Sequence, residues 1–448
     1  MHDAARIQAA IEMMEHIQSV WAADRRAPVD ALFADYFKQR RYIGSKDRGA
    51  VSDLVYFVLR HGATIEWHIE QSDRKTTPRL VVMVGLLFFS TADHAPLTRE
   101  DIIAAFNGAQ YAPKPLTDPE HKLLTRCEAR EFMPPGMPPA ARYNYPDWME
   151  GRLKESFGVE LPIAMEALNQ QAPIDLRANL LKCRDRSDLI LALDKDGYFG
   201  VATELSPIGV RLKKRLAAFN TQAFKDGMYE VQDEGSQIAA LLVAAKPGQK
   251  VIDFCAGAGG KTLAIAATMH NKGRLLAWDT SEKRLGQMAK RLARAGVSNV
   301  QTHVLKTEAD PFLKRHVGTA DWVLIDAPCS GSGTWRRNPD LKWRFSPEDL
   351  QELKLVQARI LKQAARLVKP GGRLVYVTCS IFMDENFHQV KQFLGGNPNF
   401  RVEAPDKLWN NLLVARDGVD ASLVLSPHKD GTDGFFAAVL VKDAATAP

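Results

Sequence analysis

Two cysteines stand where a reaction could use them. In Leu324-Ile-Asp-Ala-Pro-Cys-Ser-Gly-Ser-Gly-Thr334, Asp326 and Cys329 follow an apolar run, and in Leu374-Val-Tyr-Val-Thr-Cys-Ser380 Cys379 follows another. Upstream, Val251-Ile-Asp-Phe-Cys-Ala-Gly-Ala-Gly-Gly-Lys-Thr262 reads as strand, glycine-rich turn and helix start, where backbone N–H groups can approach a ligand. Two thiols, a carboxylate and a methyl-donor loop suit one demanding reaction. Carbon 5 of a pyrimidine is a poor nucleophile, and a thiolate adding to carbon 6 makes it enamine-like. A carboxyl group hydrogen-bonded to the ring favours that addition, and a second base must then take the carbon-5 proton so that the thiol can leave. The chain offers one group for each step.

Three ligands compete for the glycine loop. A phosphate-binding P-loop needs glycine where Cys255 stands, and a dinucleotide fingerprint needs a third glycine where Thr262 stands. The nucleoside loop of an S-adenosylmethionine enzyme needs only the strand–loop–helix context. Asp279, directly after the apolar run 275–278, is placed to accept hydrogen bonds from ribose hydroxyls. On the loop alone NAD stays open, and Asp253 reads as a strand-end acceptor or a cofactor contact. An NAD-dependent oxidoreductase leaves Cys329, Cys379 and Asp326 idle. A lone cysteine is most often a buried small hydrophobe, the reading taken for Cys127 and Cys183. Backbone contact to the ligand suffices for Cys255. None of the five cysteines forms a C-x-x-C pair, so neither a zinc site nor a disulfide framework is expected. Their odd count fits a reducing, cytoplasmic compartment.

These groups need a scaffold. Short apolar runs at 251–254, 275–278, 322–325 and 374–377, each followed by a helical stretch, predict a parallel α/β sheet with helices on both faces. The carboxyl ends of such strands line the ligand crevice, so both thiols should face whatever the loop holds. The first hundred residues read as helical, with helices at 5–21 and 30–37 and another through Arg60 that Ser45 would cap. The run 80–89 is half the roughly 20 residues needed to span a bilayer and reads as a buried helix. Prolines at 113, 115, 119 and within 134–139 mark a domain edge, and strands are expected at 189–193 and 200–203. The expected domains are a helical one at 1–139, a linker and small α/β segment at 140–231, and a catalytic domain at 232–448.

With 46% hydrophobic and 25% charged residues, disorder is excluded for most of the chain, as are a fibre and a disulfide-stapled miniprotein. A net charge of +6 permits a nucleic-acid partner without requiring one. Arg25, Arg26, Lys38, Arg40, Arg41, Lys46 and Arg48 form one basic cluster, for which a solvated helix face is the plainer reading, and Lys213-Lys-Arg215 adds a second. Trp335, Arg336, Arg337, Lys342, Trp343 and Arg344 read either as phosphate and stacking contacts or as a partly buried tryptophan among solvated arginines.

Gln232-Asp-Glu-Gly-Ser-Gln237, residues 253–262, Asp279 with Arg284, the Asp326–Thr334 stretch, Arg337-Asn-Pro-Asp340, Thr378-Cys-Ser380 and Asp433-Gly-Phe-Phe436 follow one another in order. By these the chain from about Gln232 to Lys442 resembles the NOL/NOP/Sun family of RNA cytosine-5 methyltransferases. The resemblance implies a Rossmann-like S-adenosylmethionine-dependent methyltransferase domain of α/β class. Before it would come an N-terminal all-α NusB-like domain and a small α/β RNA-binding segment. It implies methyl transfer from S-adenosyl-L-methionine to carbon 5 of a cytosine in RNA, that of the small ribosomal subunit (16S), through a Cys–C6 bond. Cys379 would be the nucleophile, and Cys329 would assist release. Cys255, Ala256, Gly257, Ala258, Gly259, Gly260 and Lys261 would wrap the methionine and ribose, Asp279 would hold the ribose, and Asp326 would lie between cofactor and base. Arg284 would support Asp279. Two departures stand out: Ala258 replaces the family's usual proline, and the acidic residue that meets the adenine is left open among Thr307, Glu308 and Asp310. The expected partner is RNA, without membrane or metal, and the expected state a monomer. The target base must be unstacked to be reached. A non-catalytic ribosome-assembly module and a DNA methyltransferase are the rival readings. The intact Cys379, Cys329 and Asp326 count against the first, and the Thr-Cys-Ser motif and helical domain against the second.

Overall fold

The computed structural model describes residues 2–24, 26–91, 95–213, 218–404 and 407–444. Arg25, Lys214 and Arg215 of the basic clusters lie outside them. The chain forms two compact units, one of Met1–Gln170 with Trp335–Ser346, the other of Gln171–Thr334 with Pro347–Pro448.

The first unit is helical. In the helix Asp3–Ala23 the residues Ile7, Ile11 and Ile17, with Ala10 and Met13, fall at three- to four-residue spacing and are buried against Val55, Val58, Ile65 and Val82. Ser45 is the first residue of the helix Ser45–Arg60 rather than its cap. Gly44 holds the cap position with no side-chain bond, and Asp47 in the first turn meets Arg6 at 2.8 Å instead. Pro119 starts a helix rather than ending one, because Asp118–Glu128 opens on a capping box of Thr117 and Glu120. Helices continue past 139, as far as Leu161–Leu168.

The segment 335–346 packs inside this unit. Trp335 is buried, Lys342 Nζ donates to Asn169 Oδ1 at 2.7 Å and to the Arg60 carbonyl at 3.3 Å, and the Trp343 indole donates to the Leu59 carbonyl at 2.6 Å. Burial holds the Lys342 ammonium well below its ordinary pKa. Stacking and phosphate contact are therefore wrong for Trp335 and Lys342, which serve the helical core.

The second unit contains two sheets. The smaller, antiparallel one holds β1 (Asp175–Ala178), β2 (Gly200–Ala202), β3 (Gly209–Leu212) and β4 (Tyr229–Val231) in the order β2-β3-β1-β4. Residues 189–193, expected as a strand, lie in the helix Arg186–Lys195. Asp185 caps it through the Ser187 N–H, and the buried residues are Leu189 and Leu193, four apart, with Leu191 exposed. That spacing is helical, and the short apolar run concealed it.

The larger sheet holds β5 (Lys250–Asp253), β6 (Arg274–Asp279), β7 (Val300–Val304), β8 (Ala320–Asp326), β9 (Val368–Thr378), β10 (Phe400–Val402), β11 (Leu413–Arg416), β12 (Val419–Leu425) and β13 (Phe435–Lys442). Strands β9-β8-β5-β6-β7 are parallel neighbours, as the alternation with helices predicts. The sheet as a whole is mixed. β13 pairs antiparallel along β9 from Phe436↔Thr378 to Val441↔Arg373, and β12 and β10 add to β13. Because β5 is flanked by β6 on one side and β8 on the other, its carboxyl end is a switch point where a crevice opens. Among the described residues no helix is long and apolar enough to cross a membrane.

Candidate active site

The glycine loop leaves β5 at Asp253 and enters the helix Gly260–Thr268. Gly259 has φ +87°, and a Cβ there would lie 2.7 Å from Met288 Cγ, so conformation and space both demand glycine. The loop is pinned from three sides. Gly257 N–H donates to Asp279 Oδ2 at 2.8 Å, Arg291 donates to the Ala258 carbonyl at 2.7 Å, and the buried Arg177 of β1 donates to the Gly260 carbonyl at 2.6 Å. Asp279 Oδ1 accepts from Ser281 N–H at 2.7 Å and has the Arg284 guanidinium 3.5 Å away.

A cavity of about 780 Å³ opens over the loop, with Asp253, Lys261, Asp279, Asp326, Cys329 and Cys379 among its walls. That volume suits a nucleoside-sized ligand. Cys255, Ala256, Gly257, Ala258 and Gly260 also line it, whereas Gly259 acts from behind through its backbone. Of the three residues left open after the third parallel strand, Glu308 reaches the wall and pairs with Arg359. Asp310 is occupied elsewhere, accepting from the N–H groups of Lys306 at 2.9 Å and Phe312 at 2.8 Å.

Asp253 is more than a strand-end acceptor. The Thr262 hydroxyl donates to its Oδ2 at 2.6 Å, while its buried Oδ1 finds no partner among the described residues. Burial, opposed by the Thr262 hydrogen bond, pushes its carboxyl up to about 7. A buried, underused carboxylate on the wall favours a cationic ligand, and a sulfonium or ammonium group fits that demand.

Cys329 and Cys379, carried past the ends of neighbouring strands β8 and β9, bring their sulfurs to 3.4 Å. The Cys329 thiol is held well above its ordinary pKa by the Cys379 sulfur first, then by burial and by the nearby Glu385. Asp326, at the end of β8, takes the Lys261 ammonium at 2.7 Å. Cys255 is a neutral thiol, raised by burial and the surrounding carboxylates. Burial raises Cys127 and Cys183 each to about 11, and they pack in hydrophobic cores. Among the described residues no group of three or more His, Cys, Asp or Glu could hold a metal ion.

Behind the thiols lies a residue that sequence reasoning missed. Glu385, fully buried, accepts from Ser330 N–H at 2.9 Å, Ser330 Oγ at 2.6 Å, Ser380 Oγ and Gln357 Nε2 at 2.9 Å. Ser380 is only five residues away, but Ser330 and Gln357 are 55 and 28 residues distant, and the bond that joins both cysteine loops is not visible in a single sequence. Arg291 escaped because its loop contact is remote in the chain, and Arg177, although it stands in the stretch Leu176–Lys182 that resembles the family's segment before the catalytic domain, was given no role at the loop.

A family model described as 16S rRNA methyltransferase RsmB/F matches residues 240–441, and one described as a ferredoxin-like domain of RsmF/B-like methyltransferases matches residues 145–218. A Synechocystis protein named "Probable ribosomal RNA small subunit methyltransferase B" is 31% identical, over 94% of this chain and 96% of its own. The ribosomal RNA small subunit methyltransferase B of Salmonella newport is 30% identical, over 89% of this chain and 92% of its own. The crystal structure of PH0851 superposes with a TM-score of 0.77 at 27% identity, covering 99% of both chains.

Proposed function

Because the chain belongs to the 16S rRNA methyltransferase RsmB/F family, we propose that it methylates carbon 5 of a cytosine in small-subunit ribosomal RNA through a covalent bond from Cys379 to carbon 6. Family membership makes it an S-adenosyl-L-methionine-dependent rRNA methyltransferase. The observation that carries the finer reading is the thiol pair, with sulfurs 3.4 Å apart on the wall that also bears Asp326.

S-adenosyl-L-methionine, when bound, supplies an electrophilic methyl group. The pinned loop from Cys255 to Lys261 and the carboxylate of Asp279 would hold its methionine and ribose, with Asp253 facing positive charge. Asp326, oriented by Lys261, hydrogen-bonds the ring edge of the base as Cys379 adds to carbon 6. Cys329 stays protonated in the resting pair because the Cys379 sulfur beside it, burial and the nearby Glu385 all oppose a charge there. Once Cys379 is bonded to carbon, that leading cause is gone. Cys329 can then lose its proton to solvent water, take the carbon-5 proton as a thiolate, and let the C5–H electron pair form the C5–C6 double bond as Cys379 departs as thiolate. The base must be unstacked to enter the cavity. Exposed Arg26, Lys38, Arg41 and Lys46 offer phosphate contacts on the helical unit. This reading places the protein in the cytoplasm with ribosomal RNA.

The test is bisulfite sequencing of 16S rRNA from cells with and without the gene, repeated on unmodified RNA treated with purified protein. One protected cytosine that depends on the protein in both experiments is expected. Methylation on ribose or on another base would overturn the assignment.

A further inference from the structure

One buried carboxylate touches the residues that follow both thiols. Ser330 comes directly after Cys329 and Ser380 directly after Cys379, and Glu385 accepts from both, taking the backbone N–H and the hydroxyl of Ser330 and the hydroxyl of Ser380. The serines also meet one another, with Ser330 Oγ 3.2 Å from Ser380 Oγ, and Ser332 Oγ lies 3.1 Å from Ser380 Oγ. The carboxylate is itself fixed. Gln357 Nε2 donates to it and to the Pro328 carbonyl, both at 2.9 Å, and the Tyr376 hydroxyl donates to the Glu385 carbonyl at 2.7 Å. Glu385 has no exposure and stands off the cavity wall.

We propose that Glu385 is a positioning residue that ties the two cysteine loops together and sets the separation of their sulfurs, so that both thiols can act in turn on one base. The proposal rests on the two-thiol reading above. Four donors converge on two carboxylate oxygens, which together offer about four acceptor sites, so each loop is held at fixed distance from the same anchor. A neutral amide in its place accepts on one atom only, and its NH2 faces donors. The loops would then separate or rotate. A misplacement of about 1 Å at a reacting group costs roughly 100-fold in rate.

The experiment compares wild type, Glu385→Gln and Glu385→Asp by three measurements. The first is turnover against RNA concentration. The second is S-adenosylmethionine binding by calorimetry. The third needs no RNA: hydrogen peroxide closes a disulfide between Cys329 and Cys379, two thiols giving up two protons and two electrons to one peroxide, which becomes two waters. Its rate, followed by the mass loss of an internal disulfide, reads the approach of the sulfurs. For Glu385→Gln, kcat should fall roughly 100-fold with KM for RNA and cofactor affinity nearly unchanged, and disulfide closure should slow about tenfold, whereas Glu385→Asp should recover part of both. Should Glu385→Gln fail to fold, Ser380→Ala and Ser330→Ala each remove one tether and should show the same split in smaller measure. Unchanged turnover and closure would overturn the proposal, as would loss of cofactor binding in step with turnover, the mark of a merely structural role. Failure of wild type to form a covalent adduct with RNA carrying 5-fluorocytosine would instead sink the two-thiol reading, leaving the disulfide rate to judge the tether.

Discussion

Gly257 N–H and Asp279 Oδ2 lie 2.8 Å apart, so one carboxylate both closes the glycine loop and faces the cavity. Two bonds should therefore be lost in Asp279→Ala: the one that shapes the loop and the one to the ribose. S-adenosylmethionine affinity should fall by about 1–3 kcal/mol, roughly 5- to 150-fold, by calorimetry. Asp279→Asn, which retains one oxygen, should fall less. Equal affinity in all three proteins would remove Asp279 from the site.

The thiol pair makes a sharper prediction. Cys329→Ala should accumulate a denaturant-resistant protein–RNA adduct that requires S-adenosylmethionine, because attack and methyl transfer proceed while release does not. Cys379→Ala and the double mutant should form no adduct, although both bind the cofactor normally. Gel electrophoresis in denaturant reads the result. An adduct that persisted without Cys379 would reverse the two roles.

Asp253 should give cofactor binding a pH dependence. Its carboxyl titrates at about 7 in the folded protein because burial opposes ionisation. A sulfonium cation favours the ionised form, so binding releases a proton below that pH. Affinity should rise between pH 6 and 8 by up to roughly tenfold per unit and level off above. Folding follows the opposite sign: a raised carboxyl pKa makes stability fall as pH climbs from about 4 to the folded value, since only the folded state still holds the proton. S-adenosylmethionine should accordingly raise Tm more at pH 8 than at pH 6. In Asp253→Asn both dependences should vanish, and a slope that survived there would belong to another group.

The exposed cations of the helical unit yield a binding prediction. Lys38, Arg41 and Lys46 are exposed, whereas Arg40 is half-buried over the Tyr36 ring, 3.9 Å from its centroid, and Arg48 donates to the Ile43 carbonyl at 2.8 Å. Replacing the first three by glutamine should weaken RNA binding and flatten its dependence on salt by roughly two units of the log–log slope, with cofactor affinity unchanged. Filter binding across a salt series tests it. An unchanged slope would assign this face to something other than RNA.

How much of this could be read beforehand depended on distance along the chain. Asp326, Cys329 and Cys379 were legible because each follows an apolar run that could only be a buried strand, and a strand end in a parallel sheet has one destination. The loop from Cys255 to Lys261 was legible for the same reason. Residues 189–193 misled because five residues carry either period until their partners are known. The antiparallel strands after β9 went unread because they lack the intervening helices that betray a parallel sheet. The roles of Glu385, Arg177 and Arg291 were not legible, since each depends on at least one group that only folding brings near. Trp335 and Lys342 showed the converse, a sequence neighbour of the Pro-Cys loop that belongs to another unit.

That last feature bears on how the protein is made. The helical unit takes its final piece from Trp335–Ser346, which leaves the ribosome only after β1 to β8 have been synthesised. The helical unit is thus completed only after much of the second unit, Gln171–Thr334, has already been made. Asn169 must wait for the lysine that will use its oxygen, and Trp335 is born without the helices' finished core around it. Domains usually close in order of synthesis. Here the first-born helices should remain loosely closed on the nascent chain until residue 346 emerges, and a gene exchange that moved residues 1–170 alone would leave them permanently unfinished.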